Sequence, residues 1–165
     1  DVYKRQAIMS LRNGLEFETA LESDCASLNA LVGRMVEAAG GAIHTLRDPT
    51  RGGVAATLNE IADQSGVGMR LDETAVPVRA EVRGACELLG LDPLNVANEG
   101  KLIAIVDPAS ADALLAAMRQ GPEGRDASIV GEVIEDPLHL VRMVTRIGGE
   151  RVVDWLHGEQ LPRIC

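Results

Sequence analysis

The sequence predicts an α+β domain in which helices cover a mixed β-sheet. Two observations predict it. Helical and strand-like segments are interleaved without the strict alternation of a doubly wound nucleotide fold. The run Leu102-Ile103-Ala104-Ile105-Val106 is continuously apolar, of strand length and bounded by turn residues, as expected of a central, buried strand. At 165 residues the chain has the size of one domain. Its apolar share of 46% comes almost wholly from Ala, Val, Leu and Ile, with Tyr3, Phe17 and Trp155 the only aromatics, so aliphatic packing must supply the hydrophobic free energy.

Residues 1–6 do not lead naturally into the next segment and read as foreign to the domain or poorly ordered. Residues 7–11 form a strand-like piece that begins abruptly, as in a fragment of something longer. From Ser23 or Asp24, either a good N-cap, the residues Leu28, Leu31, Val32, Met35 and Val36 recur at helical spacing until Gly40-Gly41. Cys25 falls in the first turn of that helix. Residues 42–46 read as a short strand, followed by the loop Asp48-Pro49-Thr50-Arg51-Gly52-Gly53 and a second helix through Leu58, Ile61 and Ala62. Beyond Gly66, Val67, Met69 and Leu71 alternate with Gly68 and Arg70 as in a half-buried strand. After Pro77, Val78, Val82, Cys86 and Leu89 share one face of a third helix that Gly90 ends. Residues 110–120, with Leu114, Leu115 and Met118 apolar, make a fourth helix that stops at Gly121-Pro122. Residues 128–134, 138–147 and 151–155 read as strands separated by Pro137 and Gly148-Gly149. The domain so defined covers residues 7–157, with a flexible tail at 158–165 that ends in Cys165.

A formal charge of −9 gives a field that repels phosphate backbones, and the near absence of aromatics removes base stacking. Nucleic acid is therefore not an expected partner. No apolar run approaches the roughly 20 residues of a membrane span and no signal-like layout opens the chain, so a membrane is not expected either and the cytoplasm is. Cys25, Cys86 and Cys165 form no CxxC pair, which suggests neither disulfides nor zinc. His44, His139 and His157 are scattered without metal-ligand spacing, and no metal-ligating set is expected.

Three segments could carry chemistry. In the loop 48–53 glycines stand where backbone must approach something closely, a helix comes directly after, and Arg51 lies beside them. That pattern fits an anion site or a purely structural turn, and lacks the Gly-Lys-Ser/Thr of a Walker loop. Asn98-Glu99-Gly100-Lys101 precedes the most apolar strand, where a carboxylate can be desolvated and act as a base, or can be part of an ordinary solvated turn. Cys165, in a segment with Gly158 and Pro162, is either an accessible nucleophile and acyl carrier or a cysteine there by chance.

Taken together and in order, Phe17-Glu18-Thr19, Ser23-Asp24-Cys25, Leu28-Asn29, Arg47-Asp48-Pro49-Thr50-Arg51-Gly52-Gly53, Thr57-Leu58-Asn59-Glu60-Ile61-Ala62, Val96-Ala97-Asn98-Glu99-Gly100-Lys101 and Pro162-Arg163-Ile164-Cys165 closely resemble the HypE family of hydrogenase maturation proteins, the carbamoyl dehydratases. The likeness runs over residues 7–165. The wider superfamily includes aminoimidazole ribonucleotide synthetase, whose carboxy-terminal domain the fold should resemble, as well as selenophosphate synthetase and thiamine monophosphate kinase. A selenophosphate-synthetase-like or thiamine-phosphate-kinase-like domain and a non-catalytic dimerisation domain are the alternatives. Selenophosphate synthetases place their reactive Cys or Sec near the amino terminus, so Cys165 separates the readings.

The resemblance implies a reaction. A HypF-type carbamoyltransferase loads a carbamoyl group onto the terminal thiol. ATP with magnesium then phosphorylates the amide oxygen, and loss of phosphate leaves a thiocyanate. Its cyano group passes to iron on a HypC and HypD complex, for nickel-iron hydrogenase. On this sequence the resemblance makes Cys165 the covalent carrier and Glu99 the base. Asp48, Thr50, Arg51, Gly52, Gly53, Asn98 and Lys101 hold phosphate or wall the cleft. Most ATP and magnesium contacts are expected in an amino-terminal domain that this chain lacks, where the family's Gly-Asp-His-Gly is replaced by residues 1–6. The fragment alone is therefore expected to be inactive, and the full protein to be a homodimer.

Overall fold

The computed structural model describes residues 25–155. The expectations for residues 1–6, for the strand at 7–11, for the caps Ser23 and Asp24, for His157 and for the tail with Cys165 lie outside the described residues. In chain order the elements are α1 (Asn29–Ala39), β1 (Ile43–Arg47), α2 (Gly53–Ser65), β2 (Gly68–Asp72), α3 (Ala80–Leu89), β3 (Ile103–Val106), α4 (Ala111–Met118), β4 (Gly131–Ile134), β5 (Val141–Val144) and β6 (Glu150–Val152). Short 3-10 turns at Gly40–Ala42, Pro93–Asn95, Pro108–Ser110 and Pro122–Gly124 link them.

The four strands β4, β2, β5 and β6 form one sheet in that order. β2 is antiparallel to β4 and parallel to β5, and β5 is antiparallel to β6, so the sheet is mixed as expected. Helix α2 covers it. Ala55, Leu58, Ile61 and Ala62 of the helix pack on Met69 and Leu71 of β2, Val141 and Met143 of β5, and Val153 beyond β6. In β2 the expected alternation holds from Met69 on, with Met69 and Leu71 buried and Arg70 and Asp72 exposed, but Gly68, expected on the open face, is buried. The stop signals also act as expected: Gly66 and Gly90 both take left-handed conformations that bring their N–H groups back to the last carbonyls of α2 and α3.

Two expectations need correction. Among the described residues the run 102–106 is not the centre of a sheet: β3 pairs only with β1, antiparallel, in a separate two-stranded sheet. Its unbroken apolarity has another cause. Leu102, Ala104 and Val106 pack with Leu31 and Met35 of α1 and Leu114 of α4, while Ile103 and Ile105 pack against the main core. Both faces are covered although only one edge is paired among the described residues. Helix α1, moreover, starts at Asn29 with Leu28 as its cap and no side-chain capping bond, so Cys25 lies ahead of it and exposed. The Ser27 hydroxyl donates to Asn29 Oδ1 at 2.7 Å, a local side-chain pairing of the kind that competes with helix extension.

Candidate functional site

β1 delivers the chain into the loop beyond Arg47, and Pro49 within it is fully buried while Asp48 and Arg51 are exposed. Thr50 is half-buried, and its carbonyl accepts the Gly53 N–H at 3.2 Å. Gly52 and Gly53 have φ of 71° and 65°, a left-handed pair that side chains disfavour. Gly53 is constrained a second time. A Cβ there would sit 2.4 Å from Leu94 O and 2.6 Å from Val96 O, so only glycine lets the start of α2 lie against the 93–96 turn. No side chain among the described residues caps α2. Its first N–H groups lack partners within the helix and carry the positive end of its dipole.

The second segment is built behind the first. Asp92 accepts from Leu94 N at 2.9 Å, starting the Pro93–Asn95 turn, and receives Arg151 Nη2 at 2.6 Å. Val96 and Ala97 are buried, and Asn98 Nδ2 donates to Val96 O at 2.8 Å. Asn98 N then donates to Pro49 O at 2.9 Å. Through that bond and the Gly53 contact, the structure brings together the glycine loop and the acidic bend, two segments the sequence separates by more than 40 positions.

Glu99 is exposed, not desolvated as the sequence suggested. Burial stops at Ala97, and the chain surfaces through Glu99 and Lys101 before entering β3. Lys101 is the perturbed group of the bend. It is exposed as a residue, yet burial of its ammonium, and then the positive charge of Arg79, hold it below the ordinary lysine range against the opposing pull of Asp126. Nothing in the sequence pairs Lys101 with Arg79 or Asp126, since each lies on a different connection. Asn95 also escaped sequence reasoning: its Oδ1 is buried beside this turn without a hydrogen-bond partner among the described residues. Cys86 is core, as expected, its thiol pushed up by burial and secondarily by Asp92. Among the described residues no three His, Cys, Asp or Glu side chains are grouped to hold a metal ion, and no helix is long and apolar enough to cross a membrane.

Comparison with known proteins places this frame. The family described as AIR synthase related protein, C-terminal domain, matches residues 6–143. The chain belongs to that family. Among the AIR synthase related proteins, it is 64% identical over 159 residues to the carbamoyl dehydratase HypE of Bradyrhizobium diazoefficiens, covering 96% of this chain and 46% of that protein. A crystal structure of the hydrogenase maturation protein HypE in complex with ATP matches with a TM-score of 0.87 and 50% identity, over 98% of this chain and 49% of that one. A crystal structure of a HypE–HypF complex matches with a TM-score of 0.84 and 44% identity, over 90% of this chain and 48% of the other. The chain thus spans about half the length of the relatives it matches. The expected likeness in fold to the carboxy-terminal domain of the synthetase family holds.

Proposed function

We propose that the chain is the carboxy-terminal half of a carbamoyl dehydratase, which converts an S-carbamoyl group on Cys165 into a thiocyanate with ATP, for the cyanide ligands of nickel-iron hydrogenase. The observation that carries the reading is the hydrogen bond from Asn98 N to Pro49 O, because it joins the glycine loop and the acidic bend into one surface. The resemblance of both segments to HypE, and the relatives of that name, support it.

The chemistry explains the residue types. An amide oxygen is a poor leaving group, and a phosphorylated one is good. The first nitrogen proton passes to a base as the oxygen takes the phosphoryl group. The second leaves with the departing phosphate as the carbon–nitrogen triple bond forms. One carbamoyl thioester and one ATP so give one thiocyanate, ADP and phosphate. Glu99 takes the first proton. Arg51 makes no ion pair among the described residues and stands beside the uncapped start of α2, which suits phosphate oxygens. Asp48, Thr50, Gly52, Gly53, Asn98 and Lys101 form the rest of that wall, and the depressed ammonium of Lys101 adds a donor. On this reading the magnesium ion and most nucleotide contacts belong to the rest of the longer protein. Covering by that half would also exclude water from around Glu99, which is exposed here.

The HypE–HypF complex supports a HypF-type carbamoyltransferase as the partner that loads Cys165. A HypC and HypD complex receives the cyano group, and the full protein works as a cytoplasmic homodimer, with residues 158–165 as the segment that carries Cys165. The test uses the full-length protein with Cys165 carbamoylated. On addition of ATP and magnesium, the peptide bearing Cys165 loses the mass of one water. Glu99→Gln slows that loss about 100-fold or more. Dehydration by Glu99→Gln at the parent rate removes the base assignment, and retention of the carbamoyl group by the parent protein removes the function.

A further inference from the structure

We propose that Asn59 is a positioning residue, which fixes the direction in which the Cys165-bearing segment leaves the domain and ties that direction to the glycine loop. The inference rests on the function proposed above. Asn59 is only 7% exposed, and its Nδ2 donates to Ala55 O at 2.9 Å and to Val153 O at 2.8 Å. The first contact stays within α2. The second crosses 94 positions to a residue that is itself 2% exposed. Val153 N donates to Val141 O at 2.8 Å, so β5 holds the N–H of Val153 and α2 holds its carbonyl. Asp154 and Trp155, the next two residues, are exposed. Val153 is the root of the arm.

A second tie reaches the same strand. Arg151 Nη2 lies 2.6 Å from Asp92 Oδ2, and Asp92 starts the turn on which Gly53 rests. The contacts close a ring: from Gly53 to the 93–96 turn, through Asp92 to Arg151, along β6 to Val153, and through Asn59 back into α2. Asn59 stands six residues into the helix that Gly53 opens, about 9 Å along its axis. One rigid helix therefore presents the glycine loop at its start and grips the root of the arm in its second turn.

Direction matters because the arm is long. Cys165 lies twelve positions beyond Val153, which allows a span of at most about 40 Å. Reach is thus ample, and the effective concentration of the carbamoyl group at the site depends on where the root points. The burial of an amide at position 59 is otherwise costly, since an aliphatic residue would suit both helix and core.

The experiment measures single-turnover dehydration by the full-length protein in two arrangements. In one the carbamoyl group is on Cys165. In the other a Cys165→Ala protein acts on a separate S-carbamoylated peptide with the sequence of residues 158–165. Asn59→Leu lowers the tethered rate about 3- to 10-fold and leaves the rate on the separate peptide unchanged. Arg151→Gln removes the second tie from a more exposed place and shifts the tethered rate in the same direction, which keeps the test open if Asn59→Leu does not fold. An equal fall in both arrangements makes Asn59 a structural residue only and overturns the proposal, as does an unchanged tethered rate in both variants. If the parent protein dehydrates neither substrate, the proposed function has failed and this inference falls with it.

Discussion

Gly53→Ala tests the close approach on which the site is built. Two costs add. The residue keeps φ of 65°, a conformation that costs a residue with a side chain about 1–2 kcal/mol. The new methyl also lands 2.4 Å from Leu94 O, 2.6 Å from Val96 O and 2.9 Å from the Asn95 carbonyl carbon. Carbon–oxygen contacts settle no closer than about 3.3 Å, so backbone must yield by roughly 0.9 Å, and overpacking of that kind costs about 1–3 kcal/mol. The sum is about 2–5 kcal/mol, or a fall of about 4–20 °C in Tm. Gly90→Ala supplies the control, because Gly90 has φ of 66° but nothing within 4 Å of the added methyl. It should cost about 1–2 kcal/mol. Urea denaturation followed by far-ultraviolet circular dichroism measures both variants. If Gly53→Ala is no more destabilising than Gly90→Ala, the packing of α2 on the 93–96 turn lacks the energetic weight its geometry implies.

Other expectations come from the core and from titration. Met35, fully buried against Leu31 and Leu114, should cost about 2–5 kcal/mol as Met35→Ala in the same denaturation assay. Val36→Ala, one position on and 55% exposed, should stay within about 0.5 kcal/mol. The hydrogen bond from Arg34 holds the Glu123 carboxyl below its ordinary value of 4.5, so this pair stabilises the fold above that pH and is lost as pH falls through the lowered value. Glu123→Gln should accordingly flatten the acid side of the stability profile and leave its alkaline side unchanged. Cys86, buried and with its thiol raised first by burial, should resist iodoacetamide at pH 8 in the folded chain and react readily in urea.

Local chemistry made much of this fold readable. Gly66 and Gly90 end helices for a reason a single residue carries, and Met69 and Leu71 announce a strand with one covered face. What depends on partners was not legible. The run from Leu102 to Val106 records that both faces are covered, and cannot record that one face meets α1 and α4 while the other meets a different core. Ser23 and Asp24 are good caps in isolation, yet α1 starts at Asn29, after the Ser27–Asn29 side-chain contact. At the site, Gly52 and Gly53 signalled a tight approach but not its object, which is a turn more than 40 residues away. Glu99 stood out as a carboxylate just before the most apolar strand, whereas the environment acts on Lys101, first through burial and then through Arg79, against the pull of Asp126. The role of Asn59 was invisible inside an ordinary helical pattern, because its decisive partner is a backbone carbonyl, and every residue has one of those.

The most direct measurement places heavy oxygen in the carbamoyl group on Cys165 of the full-length protein and tracks it through one turnover with ATP. The account predicts that the label appears in inorganic phosphate, since the amide oxygen leaves only after taking the phosphoryl group. Label found in water, or kept on Cys165 while ATP is hydrolysed, contradicts it.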